Sequence, residues 1–418
     1  MKFKKVVSYF LLLVFFITNS FPIVALDDAS TSDIGIEKSV SDYSKEEKAP
    51  VDILSAKSCI LTNYKTGQIL YEKNADEHLK IASITKIMTS LLVVEAIKEN
   101  KISLNDMVVA TKNAKPTQDE SSIWLAEGEK MSVGDLLKSV LVHSANDAAR
   151  TLAEYIGGSE ESFVEMMNKR AEELGMKNTK FTNASGLDDE ENYCCARDVA
   201  IMARELLKCS WITNYTKIIK DKLRGGKTDL RSRNNLIITY KGCNGLKTGT
   251  DEIAKNCLCA TAVRNKIPLC AVALGCSTSA DRWKSCTNLL DYGFNSFQPF
   301  KADKKEIEEQ QVKVLKGKKQ YVSCRLKDEN ISHMVKKTES SQVKIKIELD
   351  DFVKAPVEKD QIVGKVRYVK KEKKGDELIK KVLTSQDIVA DENVEKIGFF
   401  YTFSKLFKGF FCGEFFYN

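Results

Sequence analysis

Three short motifs place side chains suited to acyl transfer in one chain, in a fixed order: Ser83-Ile84-Thr85-Lys86, then Ser144-Ala145-Asn146, then Lys247-Thr248-Gly249. Ser83 offers a hydroxyl nucleophile and Lys86 an amine to take its proton. Ser144 offers a relay hydroxyl, Asn146 a carboxamide to hold a substrate backbone, and Lys247 a second cation. Those are the components of a serine acyl-transfer site that uses lysine in place of histidine as the base.

Each motif also has a decoy in the chain: Ser341-Gln342-Val343-Lys344, Ser232-Arg233-Asn234 and Lys65-Thr66-Gly67. Order and context separate the sets. Ser83 opens an apolar-periodic stretch, Ile84 to Ile97, that reads as a buried helix. Lys86 then lies one turn on and on the same helical face, within reach of the Ser83 hydroxyl. The helix N-terminus adds a positive dipole end and free backbone N–H groups. By contrast, Gln342 to Leu349 alternates like a half-exposed strand, on which Ser341 and Lys344 face opposite sides. Lys65-Thr66-Gly67 falls between two strand-like runs, Cys59 to Thr62 and Ile69 to Glu72, and reads as a hairpin turn.

The elements that must position these residues follow from the pattern along 418 residues, a length that calls for two domains plus ends. Residues 1–25 read as a secretory signal: Lys2, Lys4 and Lys5, an apolar run from Tyr9 to Ile17, and Ile23-Val24-Ala25 as a cleavage site. Residues 26–50 are polar and charged and read as a disordered linker. From 51 to 298, strands give way to helices and then to strands that can rejoin the first pair, an α+β plan with the Ser83 helix packed on a sheet. Val133 to His143 and Asp147 to Ile156 are helices, so Ser144 and Asn146 fall on the tight bend between them. Lys247-Thr248-Gly249 opens strand-rich sequence, with Asn256 to Val263 and Pro268 to Leu274 as neighbours. Residues 299–390 change to short alternating strands, an all-β module read as a small sandwich.

The last twenty residues hold ten aromatics. Phe399, Phe403, Leu406, Phe407 and Phe410 share one helical arc, with Lys405 and Lys408 opposite. Residues 391–418 thus read as an in-plane amphipathic membrane anchor, interrupted by Glu414 within the apolar arc.

Composition narrows the chemistry. Twelve cysteines in an exported chain would ordinarily pair, yet Cys194 and Cys195 are adjacent. Cys257 and Cys259 share one face of an apolar strand and read as small hydrophobes. No C-x-x-C spacing occurs, and His78, His143 and His333 are scattered, which argues against zinc chemistry and a histidine-based triad. A net charge of +7 arises without the aromatic–basic modules of nucleic-acid binders. In an exported protein it suits anionic wall polymers or lipid head groups. The run Lys370 to Lys374 reads as a solvated hairpin tip.

Taken together the motifs resemble a low-molecular-mass penicillin-binding protein of the D-alanyl-D-alanine carboxypeptidase kind, over nearly everything after the linker. The resemblance rests on Ala82-Ser83-Ile84-Thr85-Lys86-Ile87-Met88-Thr89, Ser144-Ala145-Asn146-Asp147-Ala148-Ala149 and Gly245-Leu246-Lys247-Thr248-Gly249-Thr250. Arg282 precedes Leu289-Leu290-Asp291-Tyr292-Gly293-Phe294 at the spacing of that family's carboxylate-binding arginine. Ala145 stands where members often have glycine, and Ile81 where proline is expected. The resemblance implies a β-lactamase/transpeptidase-like domain and a cell-wall peptide ending in D-Ala-D-Ala as substrate. It also implies β-lactams as inhibitors, a site at the outer face of the cytoplasmic membrane, and no metal or cofactor. It further implies that Ser83 is acylated, that Lys86 is the base and that Ser144 relays the proton. Backbone N–H groups of Ser83 and Thr250 then form the oxyanion hole, and Thr248 and Arg282 hold the terminal carboxylate. Two alternatives stay open: a serine β-lactamase and a non-catalytic wall-binding or antibiotic-sensing protein. Glu190-Glu191-Asn192 has the residue types of a lactamase deacylating motif at the wrong spacing, and a pure binder needs no base.

Overall fold

The runs on either side of Lys65-Thr66-Gly67 pair as an antiparallel hairpin, β1 (Ser58–Asn63) with β2 (Ile69–Lys73). The turn between them is closed by Asn63, whose Oδ1 accepts from the N–H groups of Lys65 and Thr66, while Gly67 adopts φ +77°. That decoy is therefore structural. The structure, a computed structural model, describes residues 55–398 apart from 301, 303, 329–332 and 375–376. The expected signal (1–25), the linker (26–50) and residues 399–418 of the expected anchor lie outside those described.

Three later strands complete the sheet: β3 (Cys243–Asp251), β4 (Lys255–Arg264) and β5 (Ile267–Cys276). The order is β2-β1-β5-β4-β3, antiparallel throughout, so the last strand does return beside the first, with Ile60 opposite Val272. Both faces are covered, which explains why β4 and β5 read as continuous small apolar runs instead of alternating. Ile60, Cys257, Cys259 and Val272 join the core shared with the helices. Leu61, Leu258, Ala260 and Leu269 face Cys286, Leu289 and Leu290 of the helix Ser279–Ser296. The eleven described cysteines are free thiols, most of them buried.

On the first face lie α1 (Lys86–Lys98), α2 (Val133–Lys138), α3 (Asn146–Gly157), α4 (Glu160–Glu173) and α5 (Ala196–Leu207); the helix Ser279–Ser296 is α6. α1 is buried from Lys86 to Val94 because α3, α4 and α5 all pack on it. Each Leu or Ile buried there contributes roughly 1.5–3 kcal/mol. The expected helix from Ile84 is corrected at its start: Ala82–Thr85 form a 3₁₀ turn that leads into α1. Similarly, α2 continues as a π-turn over Ser139–His143 before the bend.

The all-β module begins inside a strand. β6 (Phe297–Phe300) follows α6 directly and pairs with β9 (His333–Lys336). Phe297 packs in the core under the five-stranded sheet, while Phe300 packs in that of the β-module, so the expected boundary at 298/299 falls within one continuous strand. The main sheet uses β7 (Gln311–Leu315), β8 (Tyr321–Leu326), β10 (Val343–Leu349), β11 (Phe352–Lys354), β12 (Ile362–Lys374) and β13 (Glu377–Ala390). Its order is β10-β12-β13-β8-β7-β11, with β7 and β11 parallel. Lys370 to Lys374 are paired within the β12–β13 arm, so the ladder extends further than expected from sequence. Residues 391–398, assigned to the tail helix from sequence, are not helical: 391 and 392 form a bend, Val394 is bridged to Val357 and Lys396 to Gly317.

Candidate active site

Ser83 sits on the 3₁₀ turn, preceded by Ala82 in the left-handed region at φ +47°. One turn on, the Lys86 side chain is fully buried and its Nζ lies 2.9 Å from Ser83 Oγ. Two further contacts fix the amine: Asn146 Oδ1 at 2.6 Å and the Ser185 carbonyl oxygen at 2.6 Å. A neutral amine has two hydrogens and one lone pair. In that form the two carbonyl oxygens can accept both hydrogens, which frees the lone pair to take the proton of the Ser83 hydroxyl. Burial drives the Lys86 pKa well below its usual range, helped by the charges of Lys247 and Arg150 and opposed by Glu120 and Asp147.

The bend after the π-turn brings in the second motif. Ser144 is left-handed at φ +66° and Asn146 opens α3, its N–H donating to the Ser121 carbonyl at 2.7 Å. Asp147 points away from the site and braces the preceding loop, its carboxylate accepting from the N–H groups of Ile123 and Leu125. His143 only ends the π-turn, where its Nδ1 accepts from the Arg231 N–H at 3.3 Å.

The third motif arrives on β3. Lys247 Nζ donates to Ser144 Oγ at 2.8 Å and to the Thr248 carbonyl at 3.0 Å. Burial, with Arg233 and Arg282 nearby, lowers its pKa to about 7. Gly249 is the close approach of this strand to the nucleophile turn, since a Cβ there would stand 2.3 Å from the Ile81 carbonyl oxygen. Thr250 follows, and Arg282 on the first turn of α6 donates to Thr250 Oγ1 at 2.6 Å and to the Gly249 carbonyl at 3.1 Å. Arg282 is buried over the Trp283 ring, and its Nε has no partner. All nine residues expected from sequence thus converge on the edge between β3 and the start of α1.

Sequence reasoning missed the residues that hold this set in place. Asn183 Oδ1 accepts from the N–H groups of Ser185, Gly186 and Leu187, which turns the Ser185 carbonyl toward Lys86. Gly186 (φ +75°) packs so closely that a Cβ would meet the Ala82 carbonyl oxygen at 2.0 Å. Glu120 accepts from Asn146 Nδ2 at 3.2 Å and pairs with Arg150 at 2.9 Å. An Asn-x-x-Gly turn signal was visible at Asn183; nothing in the spacing marked Glu120.

A family model described as D-alanyl-D-alanine carboxypeptidase matches residues 44–278, and one described as the penicillin-binding protein 5 C-terminal domain matches 294–396. The D-alanyl-D-alanine carboxypeptidase DacF of Bacillus subtilis is 40% identical over 348 residues, 82% of this chain and 87% of that protein. The crystal structure of penicillin-binding protein 5 from Haemophilus influenzae superposes with a TM-score of 0.72 at 32% identity, over 84% of this chain and all of that one. Penicillin-binding protein D2 of Listeria monocytogenes, solved in an ampicillin-bound form, gives 0.53 at 31% identity, over 57% of this chain and 98% of its own. With a family model spanning over half its length and the same three motifs meeting in space, this chain belongs to the serine D-alanyl-D-alanine carboxypeptidases.

Proposed function

We propose that the Ser83 site removes the terminal D-alanine from cell-wall peptides ending in D-Ala-D-Ala, through an acyl-enzyme on Ser83. The observation that carries this reading is the fully buried Lys86 amine, 2.9 Å from Ser83 Oγ and 2.6 Å from each of the Asn146 and Ser185 carbonyl oxygens, where its neutral form can take the Ser83 proton. Ser83 Oγ attacks the carbonyl carbon of the penultimate D-alanine as its proton passes to Lys86. The carbonyl electron pair moves onto oxygen, where backbone N–H groups of Ser83 and Thr250 receive it; losing one such donor costs about 2.7–4 kcal/mol of barrier. Collapse breaks the C–N bond, and the proton passes from Lys86 through the Ser144 hydroxyl to the departing nitrogen. Lys247, Thr248 and Arg282 bind the terminal carboxylate. Asn146 keeps one Nδ2 hydrogen for a substrate backbone carbonyl, since Glu120 takes only the other. Water then hydrolyses the ester.

β-Lactams acylate the same hydroxyl and leave slowly. The two carboxylates that act on the Lys86 amine are both engaged, Glu120 by Arg150 and Asn146, Asp147 by backbone N–H groups. Neither is set to activate a deacylating water, which speaks against a β-lactamase. The N-terminal 1–25 stretch and the aromatic tail support export and attachment to the outer face of the cytoplasmic membrane.

Incubation with a pentapeptide ending in D-Ala-D-Ala should release free D-alanine, and the same peptide ending in L-Ala should not react. Equal hydrolysis of both, or of neither, would overturn the substrate assignment.

A further inference from the structure

The three motifs leave one requirement unexplained. A carboxamide has nearly the same shape after a half-turn about its last bond, yet only one orientation serves Lys86. With Oδ1 toward the amine, Asn146 accepts a hydrogen and the lone pair stays on Ser83. Turned over, the NH₂ group would face the amine, and the lone pair would be drawn away from the hydroxyl.

We propose that Glu120, clamped by Arg150, is a positioning residue that fixes the Asn146 carboxamide with its oxygen toward Lys86. Glu120 Oε2 stands 3.2 Å from Asn146 Nδ2. An ionised carboxylate only accepts, so it tolerates the NH₂ side and rejects the oxygen side. Its own position is over-determined. Oε2 pairs with Arg150 at 2.9 Å, and Oε1 accepts from the Thr117 hydroxyl at 3.0 Å. Both side chains of the ion pair are about nine-tenths buried, at 8% exposure for Glu120 and 10% for Arg150. Arg150 is itself on α3, one turn after Asn146, and reaches the backbone carbonyls of Ala114 and Lys115. The carboxylate therefore stays charged: burial alone would raise its pKa, but Arg150 and Asn146 outweigh that and bring it below the usual range. The inference deepens the acyl-transfer reading of Ser83 and rests on it.

The charges facing Lys86 come from three elements: Lys247 on β3, Arg150 and Asp147 on α3, and Glu120 on the loop before them. This gives the test a sign. Acylation by a fluorescent penicillin is followed in single turnover across pH, beside thermal melting. Glu120→Gln removes an anion that favours protonated Lys86, so the acid limb of the acylation profile should move to lower pH. Arg150→Met removes a cation, so the limb should move to higher pH, and the double variant should return toward the parent. Glu120→Asp keeps the charge but, one methylene shorter, cannot hold an oxygen where Oε2 stands between Arg150 and Asn146. It should acylate on the order of 10-fold to 100-fold more slowly, with the limb unmoved and the melting temperature retained. Glu120→Asp at parental rates, or limbs of the two single variants moving the same way, would overturn the proposal. Because acylation is read directly, a parent that takes penicillin but frees no D-alanine refutes the substrate reading and leaves this test intact.

Discussion

The Lys247 amine donates to Ser144 Oγ across 2.8 Å, so the strand carrying the third motif and the bend carrying the second meet through their functional side chains. Burial, with Arg233 and Arg282 alongside, holds Lys247 at about 7. In the proposed role the amine is thus poised between a cation, which would bind the substrate carboxylate, and a neutral group, which would not. As pH rises through about 7 in the free enzyme the cation is lost, so kcat/KM for a D-Ala-D-Ala peptide should fall. Lys247→Arg stays charged throughout. It should lose that alkaline decline while working roughly tenfold less well, because its fork fits the position poorly. An unchanged alkaline limb in this variant would assign the titration to another group.

Lys86→Arg should lower acylation by roughly 10²- to 10⁴-fold, since a guanidinium cannot act as the neutral base. Stopped-flow measurement with a β-lactam checks it. Retention of even a third of the parental rate would remove Lys86 from the role of base.

Gly249→Ala tests the contact between strand and nucleophile turn. The new Cβ would stand 2.3 Å from the Ile81 carbonyl oxygen, so β3 must shift and carry Lys247 and Thr250 with it. Acylation should drop by about 10²-fold for a shift near 1 Å. Circular dichroism should remain that of the folded protein, because the change is confined to one strand edge.

A stability effect is expected in the β-module. His333 on β9 is buried against Tyr368, with Nδ1 at 3.0 Å from Thr384 Oγ1 and Nε2 unpartnered. Burial lowers its pKa from 6.5 to about 4. Because the folded value lies below the unfolded one, this contribution is full above about 6.5 and is lost as pH falls through about 4. It amounts to about 3 kcal/mol. Melting at pH 7 and pH 4.5 should show a smaller difference for His333→Gln than for the parent; an equal difference would mean that His333 does not titrate in this range.

That the motif residues would cluster was legible because order and periodicity constrain them. Ser83 and Lys86 needed only a helical turn, and Asn146 only a bend between two apolar helices, and both occur. Lys247 and Arg282 were placed by motif and family spacing. What the sequence hid depends on contacts between distant segments. Glu120 meets Asn146 across 26 positions and Lys86 meets the Ser185 carbonyl across 99, and no local pattern encodes either. Local geometry was also finer than periodicity resolves: the 3₁₀ start before α1 and the π-turn before Ser144 both carry helical spacing. In the β-module, alternation found the strands but underestimated β12 and β13, whose ends are rich in lysine and paired with each other.

Every proposed step begins with acylation of Ser83 Oγ. Protein quenched with acid during reaction with penicillin, digested and mapped by mass spectrometry, should carry the adduct on the peptide containing Ser83. The adduct should be absent from Ser83→Ala. Label on Ser144 or elsewhere, or D-alanine release that survives in Ser83→Ala, would contradict it.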